Sequence, residues 1–236
     1  MSEKMTLEEM ASVLHARKYA YDILRRFFIE EPVQEYLKIF VQQKMAEHFP
    51  FVNDSEGISE GVRNIKEYLA NFDPVYNRDD FEALHWDYTR MFIGPFELPA
   101  PPWESVYVRK DRLLFQKHTL EVRNIYKKYG FAVKEQNFEA DDHIGLELDF
   151  MYHLNDICLQ QVENNGDLDW SNVKHLLGEQ KSFLEKHLLM FVPEFADNVI
   201  EHADTDFYRG LAKILKNYLH MDAEMLNELL KIEPFA

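Results

Sequence analysis

The chain has 236 residues and a formal net charge of −16, a balance that repels phosphate and excludes a general nucleic-acid binder. Its length fits one domain, 1–236, and its 46% hydrophobic content allows a sizeable core. The acidity suits a basic partner or plain solubility, and 18 Phe, 12 Tyr and 9 Met can fill a core or line an adaptable apolar groove.

Thr6-Leu7-Glu8-Glu9 is a capping box. The stripe Leu7, Met10, Leu14, Tyr21, Leu24 and Phe28 that follows it predicts an amphipathic helix ending before Pro32. A second helix is expected from about Pro32 to His48 and a third from about Ser59 to Phe72. The fourth is capped by Asn77 or Asp79 and stops at Gly94-Pro95. Pro95, Pro99, Pro101 and Pro102 keep residues 94–104 from being helical throughout, and this stretch carries Phe96, Leu98 and Trp103. A fifth helix is expected over about 111–129 with Gly130 as its stop, and a sixth over about 140–164. The sixth is apolar around much of its circumference, as a central helix is. Asp169 can cap a seventh, reaching about His187. Pro193 and Asp204 are read as opening two more, and a short last helix is expected over 222–231. No strand alternation or internal repeat stands out. The fold class predicted is an all-α, single-domain bundle of about nine or ten helices.

Several chemistries are absent. There is no phosphate loop, no G-x-G-x-x-G turn and no H-E-x-x-H, and Ser105 does not sit in a nucleophile elbow. The one cysteine, Cys158, allows no internal disulfide and no multi-cysteine zinc site, which fits a reducing compartment. The first residues lack the basic and apolar regions of a secretory signal, and no apolar run is long enough to span a membrane; a cytoplasmic protein without membrane insertion is expected.

Two constellations can carry function. In the first, a helix brings Tyr88, Met91 and Phe92 to a stiff proline loop that returns Pro102, Trp103 and Tyr107. Rigid aromatic surface grips an apolar peptide at little entropic cost. The alternative is that Trp103 and Phe92 fill the core beneath the loop. The second constellation is Glu139, Asp141, Asp142, His143 and Glu147. Acids at a helix start are favoured by its dipole, which is the structural reading. His143 and Glu147 would share a helix face, but a metal site needs a further ligand, so no metal is expected. Asp142 with Asp141 or Glu139 can instead accept bidentate hydrogen bonds from arginine, with His143 bonding a peptide backbone or orienting Asp142.

The two segments resemble the TorD/DmsD family of redox-enzyme maturation chaperones. The resemblance is carried by Tyr88-x-x-Met91-Phe92-Ile93-Gly94-Pro95, by Leu98-Pro99-x-Pro101-Pro102-Trp103-x-Ser105-Val106-Tyr107, and by Glu139-x-x-Asp142-His143-x-x-x-Glu147-Leu148-x-Phe150-Met151. Leu114-Phe115 and Phe207-Tyr208-Arg209-x-Leu211 also match, and the likeness is strongest from 84 to 151. It implies a helical protein that is not an enzyme. It implies binding of the twin-arginine leader of a molybdenum-containing reductase of the dimethyl-sulfoxide-reductase type, which delays export until cofactor is inserted. The positions implied for peptide binding are Tyr21, Tyr88, Met91, Phe92, Pro102, Trp103, Asp142 and His143. Glu139, Asp141 and Glu147 are the supporting acids. Some members are associated with guanine nucleotides, which no phosphate loop supports here, and no resident cofactor is expected. Ala140 replaces a proline common in the second motif, and Tyr88 and Phe96 stand where some relatives have tryptophan. Three rivals remain: a chaperone of a leaderless nitrate-reductase-like subunit, a metal-dependent hydrolase or nucleotidase using Asp141, Asp142, His143 and Glu147, and a structural helical adaptor. A monomer or a domain-exchanged dimer fits a bundle with long connectors.

Overall fold

The structure, a computed structural model, describes residues 4–95, 97–108, 117–131, 140–164 and 168–235. It is all-helical, as predicted. The helices are α1 (Leu7–Ile29), α2 (Gln34–Gln42), α3 (Glu56–Asn71), α4 (Arg78–Phe92), α5 (Glu104–Val108), α6 (Lys117–Lys128), α7 (Ile144–Glu163), α8 (Trp170–Phe183), α9 (Leu189–His202) and α10 (Asp206–Lys231). A π-helical turn, Leu184–Leu188, joins α8 to α9. The chain's first and last described segments, β1 (Lys4–Thr6) and β2 (Glu233–Phe235), pair in parallel, a short element that periodicity over three residues cannot signal.

Local signals set several boundaries. The Thr6 hydroxyl accepts the Glu9 N–H (3.2 Å) while the Thr6 N–H donates to Glu9 Oε2 (2.8 Å), completing the capping box of α1. Asn77 rather than Asp79 caps α4, and Asp169 caps α8. Other boundaries differ from expectation. The second helix stops at Gln42, and the chain turns through Lys44 at φ 50° instead of continuing to His48. Ser55 caps α3, so that helix begins at Glu56. Pro193 lies inside α9 instead of opening it: the wider π turn just upstream carries the helix into the proline, which then forfeits one amide near the helix start. Thr205, not Asp204, caps α10. Asp87 of α4 explains the choice, since its carboxylate accepts the Asp204 N–H (2.9 Å), the Thr205 N–H (2.8 Å) and the Thr205 hydroxyl (2.7 Å). No break precedes Asp222. That residue lies mid-helix in α10 with its carboxylate turned into the core.

Packing follows from which faces are apolar. α1 lies along α7, and α10 lies along α3 while also touching α8 and α9. α7 buries residues on every side, from Ile144 and Leu148 through Phe150 and Met151 to Cys158 and Val162, as its all-round apolarity requires. The α3–α10 crossing is close because Gly61 and Gly210 face each other; a Cβ on Gly61 would sit 2.5 Å from the Gly210 carbonyl oxygen. Gly145 does the same at the start of α7, where a Cβ would lie 2.3 Å from the Ile29 Cα at the end of α1. That contact fixes the start of α7, and with it the turn described next. Among the described residues, no helix is long and apolar enough to cross a membrane.

Candidate functional site

The two motifs of the sequence meet at one turn. α4 ends as Ile93 and Gly94 both donate their N–H to the Thr89 carbonyl (3.0 and 2.8 Å). Phe96 lies outside the described residues. The proline loop then brings Pro102–Trp103 alongside Asp142–His143. The Ile144 N–H donates to the Pro102 carbonyl (2.8 Å) and the Glu104 N–H to the Asp142 carbonyl (3.0 Å), so Trp103 and His143 form an antiparallel bridge. Their rings meet edge to face with centroids 6.2 Å apart. α5, which sequence reading did not predict, starts directly after Trp103.

Asp142 closes this turn from inside. It is fully buried, and its carboxylate accepts the Ser105 N–H at Oδ2 (3.0 Å) and the Thr119 hydroxyl at Oδ1 (2.9 Å). Both acceptor atoms are therefore engaged within the protein. Asp141 is nearly buried and paired with Arg123 of α6, whose Nε donates at 2.8 Å. The Tyr126 hydroxyl donates to the Asp141 carbonyl (2.9 Å). Direct acceptance of a partner's arginine by Asp142 is thus not available in this conformation, and at Asp141 an internal guanidinium already holds the place. Glu139 lies outside the described residues.

His143 is the N-cap of α7, one place before the helix, whereas the reading placed it inside a helix starting near Ala140. The cause is the bridge: the chain from Asp141 to His143 stays non-helical to pair with Trp103. His143 Nδ1 accepts the Gly145 N–H (3.1 Å), so that nitrogen is unprotonated. Burial lowers its pKa to about 4, against the opposing pull of Asp142. With the folded value below the ordinary 6.5, its contribution to stability is present above pH 6.5 and is lost as pH falls toward 4. Unfolding midpoints measured across that window should fall on acidification in the parent by an amount equivalent to a few kcal/mol. His143→Asn, which keeps a capping side chain, should lose clearly less. Equal losses would show that His143 is not the group responsible.

Tyr88, Met91 and Phe92 are core residues here. Phe92 packs on Tyr88, Phe195 and Phe28 with centroids 4.8, 5.8 and 6.2 Å apart, and Tyr107 of α5 reaches the same Phe195 at 6.4 Å. They support the turn from below and do not present side chains to solvent. Tyr21 is also buried, its hydroxyl donating to Asp222 Oδ2 (2.6 Å) within a polar cluster of α1, α7, α8 and α10. Pro102 is buried beneath the bridge. Around the turn, Leu98, Trp103 and Val106 are half-buried, as is Tyr107, whose ring packs on Phe191 and Phe195. Among the described residues, no group of three or more His, Cys, Asp or Glu could hold a metal ion. Sequence reasoning missed Thr119, Arg123 and His187. They come from α6 and the π turn, and nothing in their local sequence marks them; Glu104 and Ser105 stood within the quoted motif without an assigned role.

The protein is thus of the all-helical class, with its two motif segments joined in one turn closed by a buried acid. The family described as nitrate reductase delta subunit matches residues 53–197. Chaperone protein TorD of Aliivibrio salmonicida (strain LFI1238) is 25% identical, over 93% of this chain and 99% of its own length. TorD of Vibrio cholerae (El Tor Inaba N16961) is 25% identical over 94% of this chain and 97% of its own. The Tat proofreading chaperone DmsD of Salmonella typhi is 31% identical over 64% of this chain and 65% of its own. This chain belongs to the nitrate reductase delta subunit family, of which these TorD- and DmsD-type relatives are named chaperones, and its reading as a chaperone rather than an enzyme accords with theirs.

Proposed function

We propose that this protein is a cytoplasmic chaperone that binds the twin-arginine leader of a molybdenum-containing reductase and delays its export until cofactor is inserted. The observation that carries this reading is the Trp103–His143 bridge, and we take the half-buried apolar side chains around it as a strip next to Asp141 and Asp142. The apolar stretch of the leader lies along Leu98, Trp103, Val106 and Tyr107. Burying a few such contacts at ~1.5–3 kcal/mol each, less the cost of ordering a flexible peptide, gives micromolar to nanomolar affinity. A leader arginine takes the place of Arg123 at Asp141. Exchanging one guanidinium for another leaves the acid paired, so no carboxylate has to be newly desolvated. Tyr88, Met91, Phe92, Pro102, Asp142 and His143 hold the strip in shape, and Tyr21 acts through the core. The formal charge of −16 draws a basic leader from a distance, so affinity falls with added salt.

Calorimetry with a synthetic leader tests this. Trp103→Ala should weaken binding more than about threefold (~0.7 kcal/mol) without unfolding the protein, and Arg123→Ala should strengthen it at low salt by baring Asp141. Unchanged affinity in both variants would remove the leader from this surface. A second reading, favoured by the nitrate-reductase match over 53–197, is a chaperone for a leaderless reductase subunit. Pull-down from anaerobically grown source cells with mass spectrometry separates the two: a precursor with its leader intact supports the first, and a leaderless subunit supports the second.

A further inference from the structure

Asp142 closes the turn, but the α5 end is held by a second set of groups that the proposed function does not use. Glu104 opens α5 and is 1% exposed. Its Oε2 lies 3.0 Å from Nδ1 of His187, the residue that the π turn between α8 and α9 directs inward. Glu147, in the first turn of α7 and fully buried, lies near enough to Glu104 for the two carboxyls to interact.

As a carboxylate, Glu147 has nothing to bind. Among the described residues, no group donates a hydrogen bond to either of its oxygens. Two neighbouring carboxylates offer four acceptors and no donor, an arrangement that burial makes costly. One proton resolves it: a neutral Glu147 donates O–H···O to Glu104, while His187 engages Glu104 as well. The charged groups acting on Glu147 are Glu104 from α5 and Asp142 from the turn. Tyr126 of α6 faces the same carboxyls, and His187 reaches the pair through Glu104. Burial, followed by repulsion from Glu104 and Asp142, raises the Glu147 pKa well above its ordinary value.

We infer that Glu147 is a positioning residue for client docking: as a neutral proton donor it ties α7 to α5 through Glu104, and removal of its proton releases the Trp103 end of the turn. The consequence for docking rests on the leader-binding reading, whereas the tie itself belongs to the free chaperone. The folded value is raised, so the Glu147 contribution to stability is greatest below the ordinary 4.5, declines above it, and is gone once pH passes the elevated value. This alkaline limb is opposite in sign to that of His143.

Carbon-13 carboxyl NMR of the full chain labelled at glutamate, with Glu147→Gln to assign the signal, reads the proton directly. Amide exchange at Glu104 and Ser105, corrected for intrinsic rates, reads the turn. The expected result is a protonated Glu147 at neutral pH and about a tenfold loss of protection at the two amides on moving to alkaline pH. Glu147→Gln, which can still donate, should hold that protection at both pH values, and Glu147→Ala should lose it already at neutral pH. An ionised Glu147 at neutral pH overturns the inference, as does a Gln variant that exposes the amides or an Ala variant that protects them. Titration with leader peptide then separates the two ideas. Affinity that weakens at alkaline pH in the parent but stays level in Glu147→Gln extends the tie to docking. A parent that binds no leader at any pH ends the leader reading and leaves the NMR result standing.

Discussion

Asp222→Ala should lower the unfolding free energy by about 3–5 kcal/mol, the usual cost of removing one partner from a buried ion pair. Arg17 and Asp222 are both fully buried. Arg17 Nε and Nη2 donate to Asp222 Oδ1 and Oδ2 at 2.6 and 2.9 Å, a bidentate pair joining α1 to α10. Arg17 Nη1 donates also to Asn155 Oδ1 of α7 (2.6 Å) and Gln180 Oε1 of α8 (2.8 Å), and Tyr21 donates to Asp222. One guanidinium thus ties four helices, and without Asp222 it is left charged in the core. At ~2–4 °C per kcal/mol for a chain of this size, the midpoint of thermal unfolding should fall by roughly 6–20 °C. The double variant Arg17→Met with Asp222→Leu, which removes both charges, should recover much of the loss. A single variant within about 1 kcal/mol of the parent in urea unfolding would show that the network does not hold the bundle together.

At Asp142 the comparison of alanine with asparagine matters most. Asp142→Ala strips acceptors from the buried Ser105 N–H and Thr119 hydroxyl, each left unsatisfied at about 1–3 kcal/mol. The turn that pairs Trp103 with His143 should open, and leader affinity should fall by about tenfold or more. Asp142→Asn keeps one carbonyl acceptor for the Ser105 N–H, and the Thr119 hydroxyl can rotate to accept from the new amide. It should retain the fold and most of the affinity. If asparagine weakens leader binding as much as alanine while unfolding is unchanged, the negative charge itself is what the leader requires. Asp142 would then have to become accessible on binding.

The boundaries that were legible in the sequence have a common cause. Thr6, Asn77, Asp169 and the Gly94-Pro95 stop act through bonds to residues within one helical turn, so their effect is written next to them. Apolar periodicity likewise named the all-helical class and the central position of α7, because a helix apolar on all sides can only be buried. The proline-aromatic and Asp-His motifs were recognisable as a pair, and the structure does bring them into one turn.

What failed were assignments in which a distant group decides. Asp222 reads as a helix start until Arg17, 205 residues away, is seen to neutralise it within a continuous α10. Thr205 caps α10 in place of Asp204 because Asp87 of α4 claims those two amides. His143 stays outside α7 because Trp103 pairs with it. Tyr88, Met91, Phe92 and Asp142 are a different matter: their side chains are buried, which residue type alone does not tell, and the peptide-binding role that the resemblance implies for them is what the leader titrations test. By itself, then, the sequence determined the helical class, the principal caps and the identity of the two motifs, since periodicity and capping are short-range. Only the tertiary structure decided which acids are buried and which are paired, because burial and the donors that meet a carboxylate are supplied by other helices.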